Sequence, residues 1–562
     1  MTRVLRSSAA CLLAAAVFVT IAGANGDGPL TAAVKAGDLP AVRALLKSGA
    51  EVNARAGDGS TPLLWAVHDA QPEIARVLIT AGATVDAAND FGVTPLLEAS
   101  RTGDAVMVDV LLQGGANPSL AHPEGETPLM AAARAGSVPA VRALLTRGAD
   151  VNAAENFQKT SALMWAAGEG HVEVVDLLLE AGANPDHQGH ITSLAQRHNA
   201  DHPTGGLTAL MLAARNGDDT MVRRLAKGGA DLNLKNGDGA SAAMLAIYND
   251  RFDVAATLIE LGSDANDGSL YVAMEMRDAT TDQFAFDGSR RRPDHPNTRT
   301  ALDIARLLLE RGADPDKSFA GQLHSTSMPN TDRFDNTPFF RAALAADVEA
   351  LKLLVEHGAD LEQMPVSPPP AAEKEKEAEQ PAGGRRGHPQ AGRTAAMVAL
   401  TGGRGPGMTG GPGYIRDGAA PYREPGSRKP EDALALLLAS GANPNAKGPD
   451  GAPLLHQVAR LGNLEMIRAL AAANVDFTQT NKDGFTALDV AEGKQPAGGA
   501  GARGGGAAPP PGGGRRGGRG ASQQDVAALL RELMGLPPAP PAAAPAPEPE
   551  STTPAGAAGD VQ

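Results

Sequence analysis

Leu63, Ala66 and Val67 form a short apolar face, and after a break near Gln71-Pro72 the segment from Glu73 to Ala81 carries Ile74, Val77 and Leu78 at helical spacing. Two short helices in succession are predicted. Thr61 followed by Pro62 opens the first, because a hydroxyl caps the free backbone N–H groups and the proline ring presets φ. Gly82 closes the second, where a left-handed residue is wanted. The chain then runs through Val85-Asp86 to a turn. The phrase Thr61-Pro62-Leu63-Leu64-Trp65-Ala66 returns as Thr94-Pro95-Leu96-Leu97-Glu98-Ala99 and Thr127-Pro128-Leu129-Met130-Ala131-Ala132, each 33 residues on. Gly82-Ala83, Gly115-Ala116 and Gly148-Ala149 each follow their threonine after 21 residues. Neither helix buries its stripe alone, so a fixed period of this kind implies that neighbouring units cover one another in a stack.

The register extends in both directions. Gly28 stands 33 residues before Thr61 and leads to Gly49-Ala50. Later units open at Ser161-Ala162-Leu163-Met164, Thr208, Ser241, Thr337-Pro338, Ala452-Pro453-Leu454-Leu455-His456 and Thr486-Ala487-Leu488. Three further units are split: Leu270 to Met276 with Ala301 to Arg311, Thr394 to Leu400 with Glu431 to Ala439, and Thr486 to Ala491 with Gln524 to Leu533. The total is roughly twelve units. Asp-Gly turn signals separate them at 58–59, 238–239, 450–451 and 483–484.

Composition refines this outline. Residues 1–24 have the form of a secretory signal: Arg3 and Arg6, an apolar run from Ala9 to Ile21, and Ala22-Gly23-Ala24 as a cleavage site. Repeats 1–9 fall in 25–363, with insertions near 188–205, 278–299 and 318–334. Residues 364–392 read as a disordered linker, 393–535 hold repeats 10–12 with insertions 402–430 and 495–522, and 536–562 is a disordered tail rich in proline and alanine. The only cysteine, Cys11, lies in the signal, which excludes disulfides and thiolate chemistry from the mature chain. The net charge of −15 becomes −17 once Arg3 and Arg6 are removed, and a negative total argues against nucleic acid or an anionic membrane as the main partner.

The period and the Thr-Pro-Leu phrase resemble the ankyrin repeat, over roughly residues 28–535. The resemblance implies an all-α solenoid of stacked helix-turn-helix units with projecting finger turns, interrupted here by disordered Gly/Pro-rich insertions. The family's histidine after Thr-Pro-Leu occurs only at His456. The function implied is protein–protein recognition along the concave face, by fold analogy. The same resemblance points to the fourth, seventh and eighth residues after the threonine as facing a partner: Trp65, His68, Asp69, Glu98, Arg101, Arg134, Trp165, Glu169, Leu212, Arg215, Asn216 and Tyr248. The only two tryptophans both occupy the fourth position, and exposed tryptophans are frequent interface anchors. The alternative is that each packs on its neighbouring finger and merely stabilises the stack.

Other constellations are weaker. Asp186, His187, His190, His198, Asp201 and His202 gather imidazoles and carboxylates able to hold zinc, copper or nickel, with His187, His190, His198 and His202 as the candidate ligands. Their spacing matches no established metal motif, and a polar finger loop is the plainer reading. The Arg/Gly segments at 385–387, 503–504 and 515–519 read as solvated linkers. No nucleophile elbow or complete phosphate loop is present. The expectation is a non-enzymatic, cofactor-free binding scaffold of the periplasm or cell envelope with a protein or peptide partner. A structural envelope spacer and a metal-binding protein remain as alternatives.

Overall fold

The computed structural model describes residues 28–191, 205–277, 297–318, 337–364, 392–400, 426–494 and 521–538. The residues read as an export signal, most of the tail, and most of the linker and insertions lie outside the described residues, as do His198, Asp201 and His202.

Among the described residues the helices form twelve pairs, each an inner helix followed by an outer one. The first six units are α1 (Pro29–Lys35) with α2 (Leu39–Lys47), α3 (Pro62–His68) with α4 (Pro72–Thr80), α5 (Pro95–Arg101) with α6 (Ala105–Gln113), α7 (Pro128–Arg134) with α8 (Val138–Thr146), α9 (Ala162–Glu169) with α10 (Val172–Glu180), and α11 (Ala209–Asn216) with α12 (Asp219–Lys227). Units 7 to 9 are α13 (Ala242–Tyr248) with α14 (Phe252–Leu261), α15 (Ser269–Arg277) with α16 (Ala301–Glu310), and α17 (Pro338–Leu344) with α18 (Val348–Glu356). Units 10 to 12 are α19 (Ala395–Ala399) with α20 (Pro430–Ala439), α21 (Leu454–Leu461) with α22 (Leu464–Ala472), and α23 (Ala487–Ala491) with α24 (Gln523–Leu533).

Local chemistry sets the helix starts. Thr61, Thr94, Thr127, Ser161, Thr208, Ser241 and Thr337 each accept a hydrogen bond through the hydroxyl from the backbone N–H three residues on, at 3.1–3.3 Å. These hydroxyls are buried, so the cap also satisfies a donor that water cannot reach. Asp38, Asp104, Asp218, Asp347 and Asn463 do the same for outer helices. Gly82 ends α4 at φ +91°, in the left-handed region that costs an L-residue most.

Inner helix packs on inner helix from α1 to α19 and from α21 to α23, and outer on outer from α2 to α16 and from α18 to α24. One hydrophobic core runs unbroken from Leu30 to Leu530. The small residues of the inner helices, among them Ala66, Ala99, Ala132, Ala166 and Ala213, are all at most 1% exposed, which lets successive layers approach closely.

A second thread joins the fingers. A side-chain oxygen following each outer helix from α2 to α20 accepts the backbone N–H at the equivalent turn of the next unit. The links are Asn53 to Thr84, Asp86 to Asn117, Ser119 to Asp150, Asn152 to Asn184, Asp186 to Asp231, Asn233 to Asp264, Asn266 to Asp314, Asp316 to Asp360, Glu362 to Asn443 and Asn445 to Asp476, at 2.7–3.2 Å. The recurring Asp150, Asp231, Asp314 and Asp360 serve this turn, each also accepting the N–H two residues on. Links 7–8, 8–9 and 9–10 cross the split part of the chain unbroken, so the insertions leave the rod continuous.

Candidate partner-binding surface

The inner helices line one face of the stack, and that face changes character along the rod. In units 1 to 6 each inner helix keeps a partly exposed or exposed strip. In units 7 to 10, by contrast, every residue of α13, α15, α17 and α19 is buried. Tyr248 therefore does not face a partner. It is 2% exposed, packed into the core with the rest of α13, which corrects its expected place on the open surface.

Over units 1 to 6 the remaining expected residues lie on the open face, and the structure pairs many of them with one another. The side chain seven after the cap in one unit rests on the side chain four after the cap in the next. Lys35 Nζ sits 3.7 Å from the centroid of the Trp65 ring. His68 Nδ1 lies 2.8 Å from Glu98 Oε1, and its ring meets Trp65 edge-on at 5.7 Å. The Arg134 guanidinium lies 4.5 Å from the Trp165 centroid. Arg101 departs from the pattern by pairing with Glu126, just before the next cap. Glu169 stands 3.9 Å from Arg134. Leu212 packs partly buried against the core, Asn216 donates to the Gly168 carbonyl at 2.9 Å, and Arg215 is partly exposed. Asp69 is exposed.

Geometry explains this diagonal. Residues seven after the cap lie one turn beyond residues four after it on the same helix face, and the next layer is displaced so that the long cationic side chains reach across. Each cation over an indole face contributes about 0.5–1 kcal/mol at an exposed site. Trp65 and Trp165 are partly buried against the core, and the Trp65 Nε1 is buried without a hydrogen-bond partner. The tryptophans thus bind both ways: inward to the stack, outward to a cation of the preceding unit. Lys35 was legible only by extending the slot count one unit back, since it stands 33 residues before His68.

The same diagonal recurs, reversed in sign, where the face is closed. Glu275 of α15 lies 2.6 Å from Arg341 Nε of α17, and Tyr271 donates its hydroxyl to Glu275 at 2.9 Å. Beside them Arg277 donates twice to Asp347, at 2.6 and 2.9 Å, and Arg428 reaches the same carboxylate at 2.8 Å. The side chains of Arg277, Asp347, Glu275 and Arg341 are each 2% exposed. Sequence reasoning missed this cluster. Arg341 holds the fourth position after Thr337, but α15 opens without a threonine, so the slot of Glu275 had no marker. Arg428 lay in an expected insertion, yet Gly426 to Lys429 returns to the stack, with Val348 donating its N–H to the Ser427 carbonyl at 3.1 Å.

The histidine-rich finger gives no metal site among the described residues, where no group of three suitable ligands converges. His187 Nε2 is 2.6 Å from the Lys159 carbonyl, so that nitrogen donates a proton to an acceptor of the neighbouring finger. His190 lies on an exposed edge of the turn.

Comparisons with known proteins agree with the architecture. Residues 9–89, 30–122, 96–189 and 187–268 match the model for ankyrin repeats in three copies. The chain is similar to the Ankyrin repeat and SAM domain-containing protein 6 of Danio rerio, 28% identical over 221 residues that make up 36% of this chain and 30% of that protein. It is also similar to the Notch-regulated ankyrin repeat-containing protein of Homo sapiens, 41% identical over 49 residues, 9% of this chain and 43% of that one. The chain therefore spans less than half the length of these curated relatives. Among solved structures, the human ASB11 ankyrin repeat domain aligns at 29% identity and a TM-score of 0.36, covering 42% of this chain and 97% of that one. The repeat model thus matches residues 9–268, just under half of the chain, and the described helix pairs stack as one solenoid with the ankyrin-repeat fold.

Proposed function

We propose that the protein is an interaction scaffold that docks a protein or peptide partner against the inner-helix face of units 1 to 6, in the periplasm or cell envelope. One observation supports this above others. The fourth position after the cap is partly exposed at Trp65, Glu98, Trp165 and Leu212, with the small Ala131 buried, while the same position is buried at Leu245, Arg341 and Val398. The open stretch is also set in advance, because its charged side chains are already held by neighbours and lose little freedom when a partner arrives. Export rests on residues 1–24, and N-terminal sequencing of the mature protein is expected to begin at Asn25.

The docking test is affinity capture from the envelope fraction with wild type and a Trp65→Ala/Trp165→Ala variant side by side. The variant is expected to lose a discrete partner while its helical melt shifts little. Equal recovery with both proteins would defeat the reading. A second reading, a rigid envelope spacer, is favoured by the ten finger links that make the rod continuous. It predicts no discrete partner and full tolerance of substitutions on the open face. Metal binding through the histidine-rich finger remains a proposal for direct titration with Zn²⁺.

A further inference from the structure

In five of the described fingers the closing turn carries an acidic residue at its second central position: Asp58, Glu124, Asp238, Asp450 and Asp483. Two others present a phenylalanine there. Phe91 fills the position in the turn from Asn89 to Gly92, and Phe157 heads the finger before Ser161, where Lys159 adds a left-handed residue at φ 57°. Their side chains are among the most exposed large apolar groups described, at 69% and 77%.

A lone exposed ring would mean little. These two are equivalent in place, two layers apart, and held on built tips. Asn89 Oδ1 accepts the N–H of Phe91 at 3.1 Å and of Val93 at 2.9 Å. The Glu155 carboxylate accepts the N–H groups of Phe157, Gln158 and Thr160 at 2.6, 2.7 and 2.9 Å. The finger between them presents Glu124, exposed, with no hydrogen bond or ion pair to its carboxylate among the described residues. The neighbouring acids are already engaged: Asp90 faces Arg55 at 3.5 Å, and Glu155 is committed to its own turn. One uncommitted negative charge thus stands between two presented phenyl rings. Lys159 is exposed beside the second ring.

We propose that these fingertips take an extended segment of a partner protein with two large apolar side chains flanking a lysine or arginine. The spacing follows from the stack. Two layers of roughly 8–10 Å put the rings about 16–20 Å apart, which an extended chain at about 3.3 Å per residue covers in five or six residues. The basic residue meets Glu124 midway, and an acidic residue just past the second anchor meets Lys159. This deepens the docking reading by naming the chemistry of its partner, and places the first contacts on the tips rather than in the groove.

The test is selection of a random twelve-residue peptide library on the full chain, followed by titration of the winning synthetic peptide. Enrichment of two apolar residues five or six apart with Lys or Arg between them is expected. Phe91→Ser, Phe157→Ser and Glu124→Gln are each expected to weaken that peptide, the phenylalanine changes by about tenfold. All three side chains are exposed, and unchanged circular dichroism checks that the fold survives. Selected peptides without this pattern, or equal binding to the Phe91→Ser/Phe157→Ser variant, would overturn the inference. Binding lost only in the Trp65→Ala/Trp165→Ala variant would keep the groove reading and sink this one. Failure of every variant to matter would sink both.

Discussion

Asp347 gathers three duties in one carboxylate. It caps α18 by accepting the Ala350 N–H at 3.1 Å, takes two bonds from Arg277, and meets Arg428. It sits at the start of α18 and ties the end of α15 to the segment that enters α20, so one buried carboxylate joins units 8, 9 and 10. A buried ion pair adds little over a well-packed apolar pair, because desolvating the charges offsets their attraction. Breaking one is another matter, since the partner charge is left without compensation. Asp347→Ala is therefore expected to destabilise units 8 to 10 by about 3–5 kcal/mol, read as an early phase in urea unfolding. A loss no larger than that of an ordinary exposed cap, such as Asp38→Ala, would show that the guanidiniums find other partners. At this scale the sequence was least legible. Single-residue identities gave Arg341 and Asp347 no distinction until the stack put them beside Glu275, Arg277 and Arg428.

Short helices were the most legible elements. The Thr-Pro start, the apolar spacing and the closing glycine each act within a few residues, so local chemistry defined them before any packing was known. Where that chemistry is altered, tertiary contact takes over, and α21 is the instructive case. Its N-cap is Pro453, which offers no side-chain cap, and His456 instead bridges to the next unit at 2.8 Å from the Phe485 carbonyl. A carbonyl only accepts, so Nε2 carries the proton. Burial holds this imidazole below the ordinary histidine value, against the opposing effect of the Phe485 bond. The sign follows from the unfolded chain, which takes up a proton first as pH falls through about 6.5. The stability His456 lends to units 11 and 12 is thus complete above that pH and lost as pH drops through the lower folded value. Melting of the C-terminal units between pH 7 and pH 5 is expected to show this decline, and His456→Leu to flatten it. An identical slope in the variant would assign the pH response elsewhere.

The whole molecule is a one-dimensional assembly, in which each unit is stabilised by its two neighbours and by the finger links between them. Cutting one link tests how far coupling spreads. Asn152 accepts the Asn184 N–H at 2.8 Å and donates to the Gly182 carbonyl at 3.1 Å, tying unit 4 to unit 5 twice. Asn152→Ala is expected to cost about 1–2 kcal/mol and to separate the hydrogen-exchange protection of units 1–4 from that of units 5–7. A uniform loss across all units would mean that the apolar stack alone sets cooperativity. The sequence by itself determined the period, the helix ends and the solenoid class, because these arise from interactions within one unit or between identical units. Only the tertiary structure decided which face stays open. Whether Trp65 stays partly exposed and Tyr248 is buried depends on what lies across the layer, and residues such as Lys35, Arg134 and Arg428 reach their partners through space rather than along the chain.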